Sequence, residues 1–482
     1  MGCERCRVLG RENQELTGKV AALERENKEL RDERAELLRQ LDKSQRAGKR
    51  QAAPFSKGEP KKKPKRPGRK AGDKYGRKGH RQPPERVDEV IDVPVPDTCP
   101  HCKGTVTDDK VMPQYQVDLP PIEALVRQFD IHVGHCDDCG RRVQNRHPLQ
   151  TSDALGAAAS QLGPRLLAQL TVLKLVMGLS YPKVASIFSS LFGIDVTTGG
   201  LAQALQRVGK VAAPTYEALK ATVASSAVVS PDETGWRVRG RSAWLWAFAT
   251  NLVTVYMIEP GRGYLQAVKV LGEDFSGTLV RDGWAPYRRF KNARHQTCLA
   301  HLLRRCSEML GTARRGAARL PHGIRRILKD ALVLRDRRDA GTISTPRLKA
   351  ATEKLRARLS WYLTWRPGID ENRKLVKHLN NESDAIFTFL EDPAVPATNH
   401  MAERAIRPSV VTRKTCGGGN REWAGATATA TLLTILRTAL QQGRDPQLIL
   451  ADLLRHPGPA VADCLLQISR SPPDDVPPTT ST

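Results

Sequence analysis

The feature that most constrains this chain is a row of leucines at strict seven-residue spacing near its start: Leu9, Leu16, Leu23, Leu30 and Leu37. An α-helix repeats every ~3.6 residues, so a lone amphipathic face drifts from such a row, whereas a second helix wound around the first keeps it covered. With the leucines at d, Asn13, Val20, Asn27, Arg34 and Leu41 fall at a. A buried Asn at a costs stability but fixes register and favours two parallel strands. Lys19 with Glu24 and Glu26 with Arg31 occupy g and the following e with opposite signs, as a parallel pair requires. Residues 1–43 are predicted to form a leucine-zipper coiled coil, giving a homodimer through residues 9–41.

The chain has 482 residues, enough for several domains, and a formal net charge of +26. Sixteen Lys and Arg against two acids lie between Lys43 and Arg81. Such a stretch has too few apolar residues to fold alone, so residues 44–86 read as a basic disordered linker, and its charge points to a polyanion. Lys61, Lys62, Lys63, Lys65, Arg66, Arg69 and Lys70 are its candidate DNA contacts. "KRPGRKAG" is faintly like a minor-groove hook, but the Arg-Gly-Arg core is not intact. The start "MGCERCRVLG" has no apolar run for a signal peptide. The most apolar run, 166–179, is interrupted by Gln169, Thr171 and Lys174 and falls short of the ~20 residues of a membrane span. A soluble, cytoplasmic protein is expected.

Ten cysteines in a chain this long do not make a disulfide scaffold. Cys99 and Cys102 in "CPHC", with Cys136 and Cys139 in "CDDC", have the spacing of two zinc knuckles holding one structural Zn²⁺ by four thiolates. His101 and His135 compete as ligands but are not needed. A closed set of four argues against zinc catalysis. Residues 87–150 are thus read as a small zinc-binding β module, with "QYQVDLP" and "ALVRQFDIHVGHC" as strands. Cys3 and Cys6 form a lone CxxC without assignment. Residues 151–215 have a helical period. "SYPKVASIFSSLFGIDVTTGGLAQALQRVGK" reads as two helices about a turn, a helix-turn-helix-like DNA-binding region; the alternative is a hairpin packed on the next domain.

From residue 216 the pattern changes to strand, strand, strand, helix, strand, then strand and helix. "TVASSAVVSPDETGW" carries the first strand, ending in Asp232, and "GTLVRDGW" carries the fourth, ending in Asp282. "CLAHLLRR" follows, with Cys298 and His301 three apart, a pair that makes half a metal site. Residues 307–395 are mostly basic and helical. The helix "TNHMAERAIRPSV" then sets Asn399 and Glu403 four apart on one face. Taken alone, Glu403 is an ordinary surface carboxylate.

Together, the zipper, "CPHC…CDDC", "DETGW", "RDGWAPY", "CLAH" and "NHMAERAIRP" followed by "RK" resemble the DDE transposases of the insertion sequence 66 family, over residues 1 to about 440. Trp284 stands where Tyr is expected and Cys416 where an aromatic is usual. The resemblance implies a ribonuclease H-like core in two parts, residues 216–306 and 396–455, around the helical insertion 307–395, with a C-terminal tail at 456–482. The fold class expected is multidomain α/β. Asp232, Asp282 and Glu403 would be catalytic and hold two Mg²⁺ (or Mn²⁺), hard cations suited to oxygen ligands. Asp232 would serve both cations, Asp282 one and Glu403 the other, while Glu233 would point away. Asn399, Arg404 and Arg407 would line the active face, and Arg304, Arg404, Arg407, Arg413 and Lys414 would contact DNA. The implied activity is metal-dependent strand cleavage and transfer at the terminal inverted repeats of a bacterial insertion sequence and in its target. The implied setting is nucleoid-associated, with small accessory proteins of the same element as partners. The rival is a non-enzymatic DNA-binding transcriptional regulator, which needs the basic and zinc-binding parts but no carboxylate set.

Overall fold

The computed structural model describes residues 4–47, 83–120, 122–156, 161–313, 316–416, 418–456 and 465. The basic residues from Lys61 to Lys70, expected to contact DNA, lie outside this set. The first helix, α1 (Glu4–Ala47), is continuous and runs four residues past the expected boundary at 43. Leu16, Leu23, Leu30 and Leu37 are each more than half exposed along it, so these four leucines are not covered by the described residues.

In the cysteine-rich region, β1 (Val133–His135) and β2 (Arg142–Gln144) form an antiparallel hairpin with Gly134 opposite Val143. Of the two longer strands expected between the knuckles, 114–120 carries no strand and 124–136 is a strand only over its last part, β1. Their β-prone side chains face no second layer: Val117, Leu119, Leu125 and Val126 are exposed. Propensity without a pairing partner and a buried face does not make a strand.

Next come α2 (Pro164–Thr171), a short π-helical turn, α3 (Tyr181–Phe192), α4 (Thr198–Val211) and α5 (Ala213–Ala224). Gly193, at φ 61°, ends α3 in the left-handed conformation glycine tolerates. Thr197 caps α4 by accepting the Gly200 N–H at 3.0 Å. The two helices expected about this turn are therefore present. It also packs inward, as the hairpin alternative supposed. Leu201 and Ala204 meet Val184 and Phe188 of α3, while Leu205 and Val208 join the main core. A Cβ on Gly209 would meet the Ala428 Cβ at 2.6 Å, so only glycine allows this approach.

The central sheet contains β3 (Val228–Val238), β4 (Arg241–Ala249), β5 (Thr254–Glu259), β6 (Thr278–Arg281) and β7 (Arg294–Thr297), with α6 (Tyr264–Leu271) between β5 and β6. Its order is β5-β4-β3-β6-β7. The first three strands form an antiparallel meander, and β6 and β7 add in parallel beside β3. This mixed α/β arrangement is consistent with the core expected from the resemblance. One detail differs: Asp232 lies within β3, not at its end. The antiparallel ladder with β4 continues to Val238, whereas β6 leaves β3 after Leu279.

After α7 (Leu299–Thr312), the helices α8 (Arg319–Asp339), α9 (Thr345–Leu363), α10 (Asp370–Glu382) and α11 (Thr388–Glu391) share a second core around Ile324, Leu328, Leu355, Leu379 and Phe387. That core also takes in Val280 and Leu299, which fixes the insertion against β6 and α7. The chain returns through α12 (His400–Thr415), α13 (Trp423–Gln441) and α14 (Pro446–Arg455). The threonines of "ATATATLLTILRTALQQ" have a clear use. Thr434 and Thr438 accept the backbone N–H groups of Tyr256 and Thr254 at 2.9 and 3.2 Å. Strand β5 is a sheet edge, and α13 satisfies and covers it. Among the described residues, no helix is long and apolar enough to cross a membrane.

Candidate active site

Val229 of β3 pairs with Leu279 of β6 in parallel register. Asp232 and Asp282 each follow three residues later, so the two acids stand at the same level where the adjacent strands part. Each is oriented locally. Asp232 Oδ1 accepts the Glu233 N–H and Asp282 Oδ1 accepts the Trp284 N–H, both at 2.9 Å.

Glu403 lies in the first turn of α12, its N–H bonded to the Asn399 carbonyl at 3.2 Å. This helix is pinned to β3 at both ends. Asn399 Nδ2 donates to Pro231 O at 2.8 Å, and its backbone N–H donates to Cys298 Sγ at 3.2 Å. At the other end, Arg413 donates to Thr234 Oγ1 at 3.3 Å and to the Gly235 carbonyl. One expectation needs correction: Asn399 is buried, 1% exposed, and ties elements together instead of lining an open face. Arg413, half-buried, places its Nη1 on β3.

Burial raises the Asp232 carboxyl to about 7, with the charges of Glu233, Asp282 and Glu403 adding to the shift. All three candidate acids therefore share one field, and Asp232 bears the cost of it. Asp232, raised by burial and by neighbouring negative charge, belongs to an all-oxygen set of the kind that fits a hard divalent cation. Asp232 and Asp282 are not part of a tight three-ligand cluster; among the described residues, the one group with donors mutually within 4.8 Å is Cys298, His301 and Glu403. Two cations about 3.5–4 Å apart need only one acid near both, with the outer acids farther from each other.

Glu233 behaves differently from its neighbour. Its carboxylate accepts Arg262 Nε and the Tyr287 hydroxyl, each at 2.6 Å. The Arg262 guanidinium sits over the rings of Trp244 and Trp284 at 4.7 and 4.1 Å. Glu233 thus clamps the segment after Asp282 from the opposite side of β3. A second buried network holds that segment from behind. Glu382 accepts Arg281 and Arg288, each at 2.8 Å, and the Thr297 hydroxyl at 2.6 Å. Arg281 also donates to the Asp282 carbonyl at 3.0 Å. Sequence reasoning missed Arg262 and Glu382. Neither stood out in the sequence: Arg262 lies between two glycines and Glu382 is one of several acids in a mostly basic insertion.

Arg304, Arg404, Arg407 and Lys414 are exposed. The two cysteine knuckles have matching turns. Cys99 N–H donates to Gly104 O at 2.8 Å and Lys103 N–H to Cys99 O at 2.9 Å; Cys136 to Arg141 and Gly140 to Cys136 repeat the pattern at 2.9 and 2.8 Å. Backbone N–H groups within each knuckle lower the thiols of Cys99 and Cys136. Each pair, Cys99 with Cys102 and Cys136 with Cys139, is shaped as a knuckle, but the four sulfurs do not gather into one set within 4.8 Å.

A family-level sequence model described as "Transposase IS66 family" matches residues 159–427, a span that holds the whole sheet, the insertion and all three acids. Two curated proteins of Sinorhizobium fredii (strain NBRC 101917 / NGR234) are similar. The "Uncharacterized protein y4qI" is 25% identical over 406 residues, covering 75% of this chain and 70% of that protein. The "Uncharacterized protein y4jO" is 31% identical over 117 residues, covering 24% of this chain and 35% of that protein.

Proposed function

This chain belongs to the IS66 family of transposases, and we propose that it binds the ends of a bacterial insertion sequence and catalyses two-metal DNA strand cleavage and strand transfer there. The observation that supports this most is the register of Asp232 and Asp282 on adjacent parallel strands, with Glu403 on a helix tied to the residue before Asp232. A regulator that only binds DNA has no use for three acids set together in this way, one of them, Asp232, drawn toward its protonated form by burial and by its acidic neighbours.

In this reading Asp232 would hold both Mg²⁺ (or Mn²⁺) ions, Asp282 one and Glu403 the other. The ions when bound would activate the attacking oxygen and stabilise the leaving one. The remaining work belongs to the chain. Asn399 and Arg413 keep the Glu403 helix aligned with β3, and the Glu233–Arg262 clamp holds the segment that carries Asp282. Exposed Arg304, Arg404, Arg407 and Lys414 attract phosphates, and the basic arm at 44–86 adds a sequence-independent, salt-sensitive hold. Cys99, Cys102, Cys136 and Cys139 would draw together on one structural Zn²⁺. The α1 stripe would pair two copies in parallel through residues 9–41, placing two catalytic units near two ends. Small accessory proteins of the same element would complete the assembly in the bacterial nucleoid.

The test is cleavage of labelled element-end DNA in Mg²⁺ or Mn²⁺, beside a gel-shift at the same salt. The proposal expects shifted DNA to be nicked at the element boundary. Binding without any cutting, with accessory proteins supplied, would favour the transcriptional regulator.

A further inference from the structure

Cys298 and His301 offered only half a site in the sequence; the fold brings the missing ligand. Cys298 is the residue before α7 and His301 lies in that helix's first turn, so the two face one way. Glu403 arrives from α12, and His301 Nε2 lies 3.7 Å from Glu403 Oε1. One donor atom from each of the three is within 4.8 Å of the other two. The Cys298 side chain is fully buried and its sulfur accepts the Asn399 N–H at 3.2 Å, which steadies a sulfur carrying negative charge. His301 Nδ1 is buried without a hydrogen-bond partner. Sulfur, nitrogen and one carboxylate oxygen are a poor set for Mg²⁺ and a good one for Zn²⁺, which takes three protein ligands and leaves a fourth position open. Zinc bonds of about 2.0–2.3 Å put tetrahedral donors roughly 3.3–3.8 Å apart. The His301–Glu403 spacing of 3.7 Å already falls in this range, and the sulfur lies within 4.8 Å of both partners.

We propose that Cys298, His301 and Glu403 form a second metal site, for a thiophilic divalent cation of the zinc class, separate from the four-cysteine knuckles. Its occupancy takes Glu403 away from Asp232 and Asp282, so the same ion that supports the knuckles silences the acidic site when in excess. The site itself stands on geometry; the silencing rests on the transposase reading above.

The test uses the full chain as purified, with zinc in its knuckles, titrated with Co²⁺ and followed by thiolate-to-cobalt charge-transfer absorption. The parent should take up one further equivalent with a single-thiolate band. Cys298→Ser should lose the band, and His301→Ala, at a half-exposed position where folding is not at risk, should weaken uptake at least about tenfold. Cys306→Ser, a buried thiol of the same helix outside the set, should change nothing. A parent that takes up no further ion, or a His301→Ala chain that takes it up unchanged, overturns the site. On end DNA, excess Zn²⁺ should suppress Mg²⁺-supported cleavage by the parent and spare His301→Ala, and equal suppression of both overturns the silencing. A parent that binds the ion but never cuts DNA refutes the functional reading and leaves the site standing; one that cuts but binds no ion does the reverse.

Discussion

The side-chain amide of Asn399 donates to the carbonyl of Pro231 at 2.8 Å, which fixes the start of the Glu403 helix to the residue preceding Asp232. A buried amide placed this way sets a distance between two acids that are about 170 residues apart in sequence. Asn399→Ala should destabilise the fold by about 1–3 kcal/mol, because the Pro231 carbonyl loses its donor in a buried place. Cleavage should fall while both acids remain. Denaturant unfolding beside the DNA-cutting assay checks this; unchanged values for both would mean that the bond carries no weight.

Asp232 and Glu233 are neighbours with opposite expected phenotypes. Glu233→Gln should weaken the Arg262 and Tyr287 contacts and cost about 1–3 kcal/mol, with substantial cutting retained. Asp232→Asn should abolish cutting without loss of stability. The pair of variants, measured by thermal unfolding and by cleavage, contradicts this account if their effects are exchanged.

The proton affinity of Asp232 makes a pH prediction. Its carboxyl titrates at about 7 in the folded chain and near about 3.9 when unfolded. Between those values the folded state holds a proton that the unfolded state has released, so stability declines as pH rises from about 4 to about 7. Asp232→Asn removes that decline. In metal-free buffer at pH 8 the variant should be the more stable chain by on the order of 1–4 kcal/mol, and the gap should shrink at pH 5. Equal stability of the two chains at both pH values would show that Asp232 is not strained by its neighbours.

Much of this was legible in the sequence, for physical reasons that differ by element. The Leu heptad and the turn 193–197 are local signals, and both helices on either side of that turn formed as read. The element order also came through, because β4, β5 and β6 are short, largely apolar runs bounded by turns, although β7 is the polar run RHQT. The strand expected at 114–120 failed and the one expected at 124–136 formed only over 133–135, since β propensity needs a partner that local sequence does not reveal. Asp282 could be placed from its position after "TLVR". Asp232 could not be seen as mid-strand, because only the pairing shows where β6 departs. Asn399 looked like a surface helix residue by spacing; its burial follows from Cys298 and Pro231, both more than a hundred residues earlier.

The knuckle turns make a metal prediction. The chain should be purified with about one Zn²⁺ held by Cys99, Cys102, Cys136 and Cys139, and Cys136→Ser should lose the ion and the local fold together. Elemental analysis with circular dichroism decides it. A metal-free chain of full stability would remove zinc from the account.

The exposed stripe of α1 predicts assembly. Leu23→Lys with Leu30→Lys places charges at two d positions and should convert a dimeric full-length chain to monomer at micromolar concentration in sedimentation analysis. A parent that is itself monomeric there would refute pairing through residues 9–41.

The central claim is that Glu403 joins Asp232 and Asp282 in one cutting site, and Glu403→Gln tests it most directly. The substitution keeps the shape of a half-exposed side chain and removes its charge. Binding to labelled element ends, read by gel-shift, should stay within about twofold of the parent, because the phosphate hold comes from other residues. Cleavage in Mg²⁺ should fall by at least about a hundredfold. If Glu403→Gln cuts as fast as the parent, the helix His400–Thr415 carries only a surface carboxylate, and the three acids are not an active site.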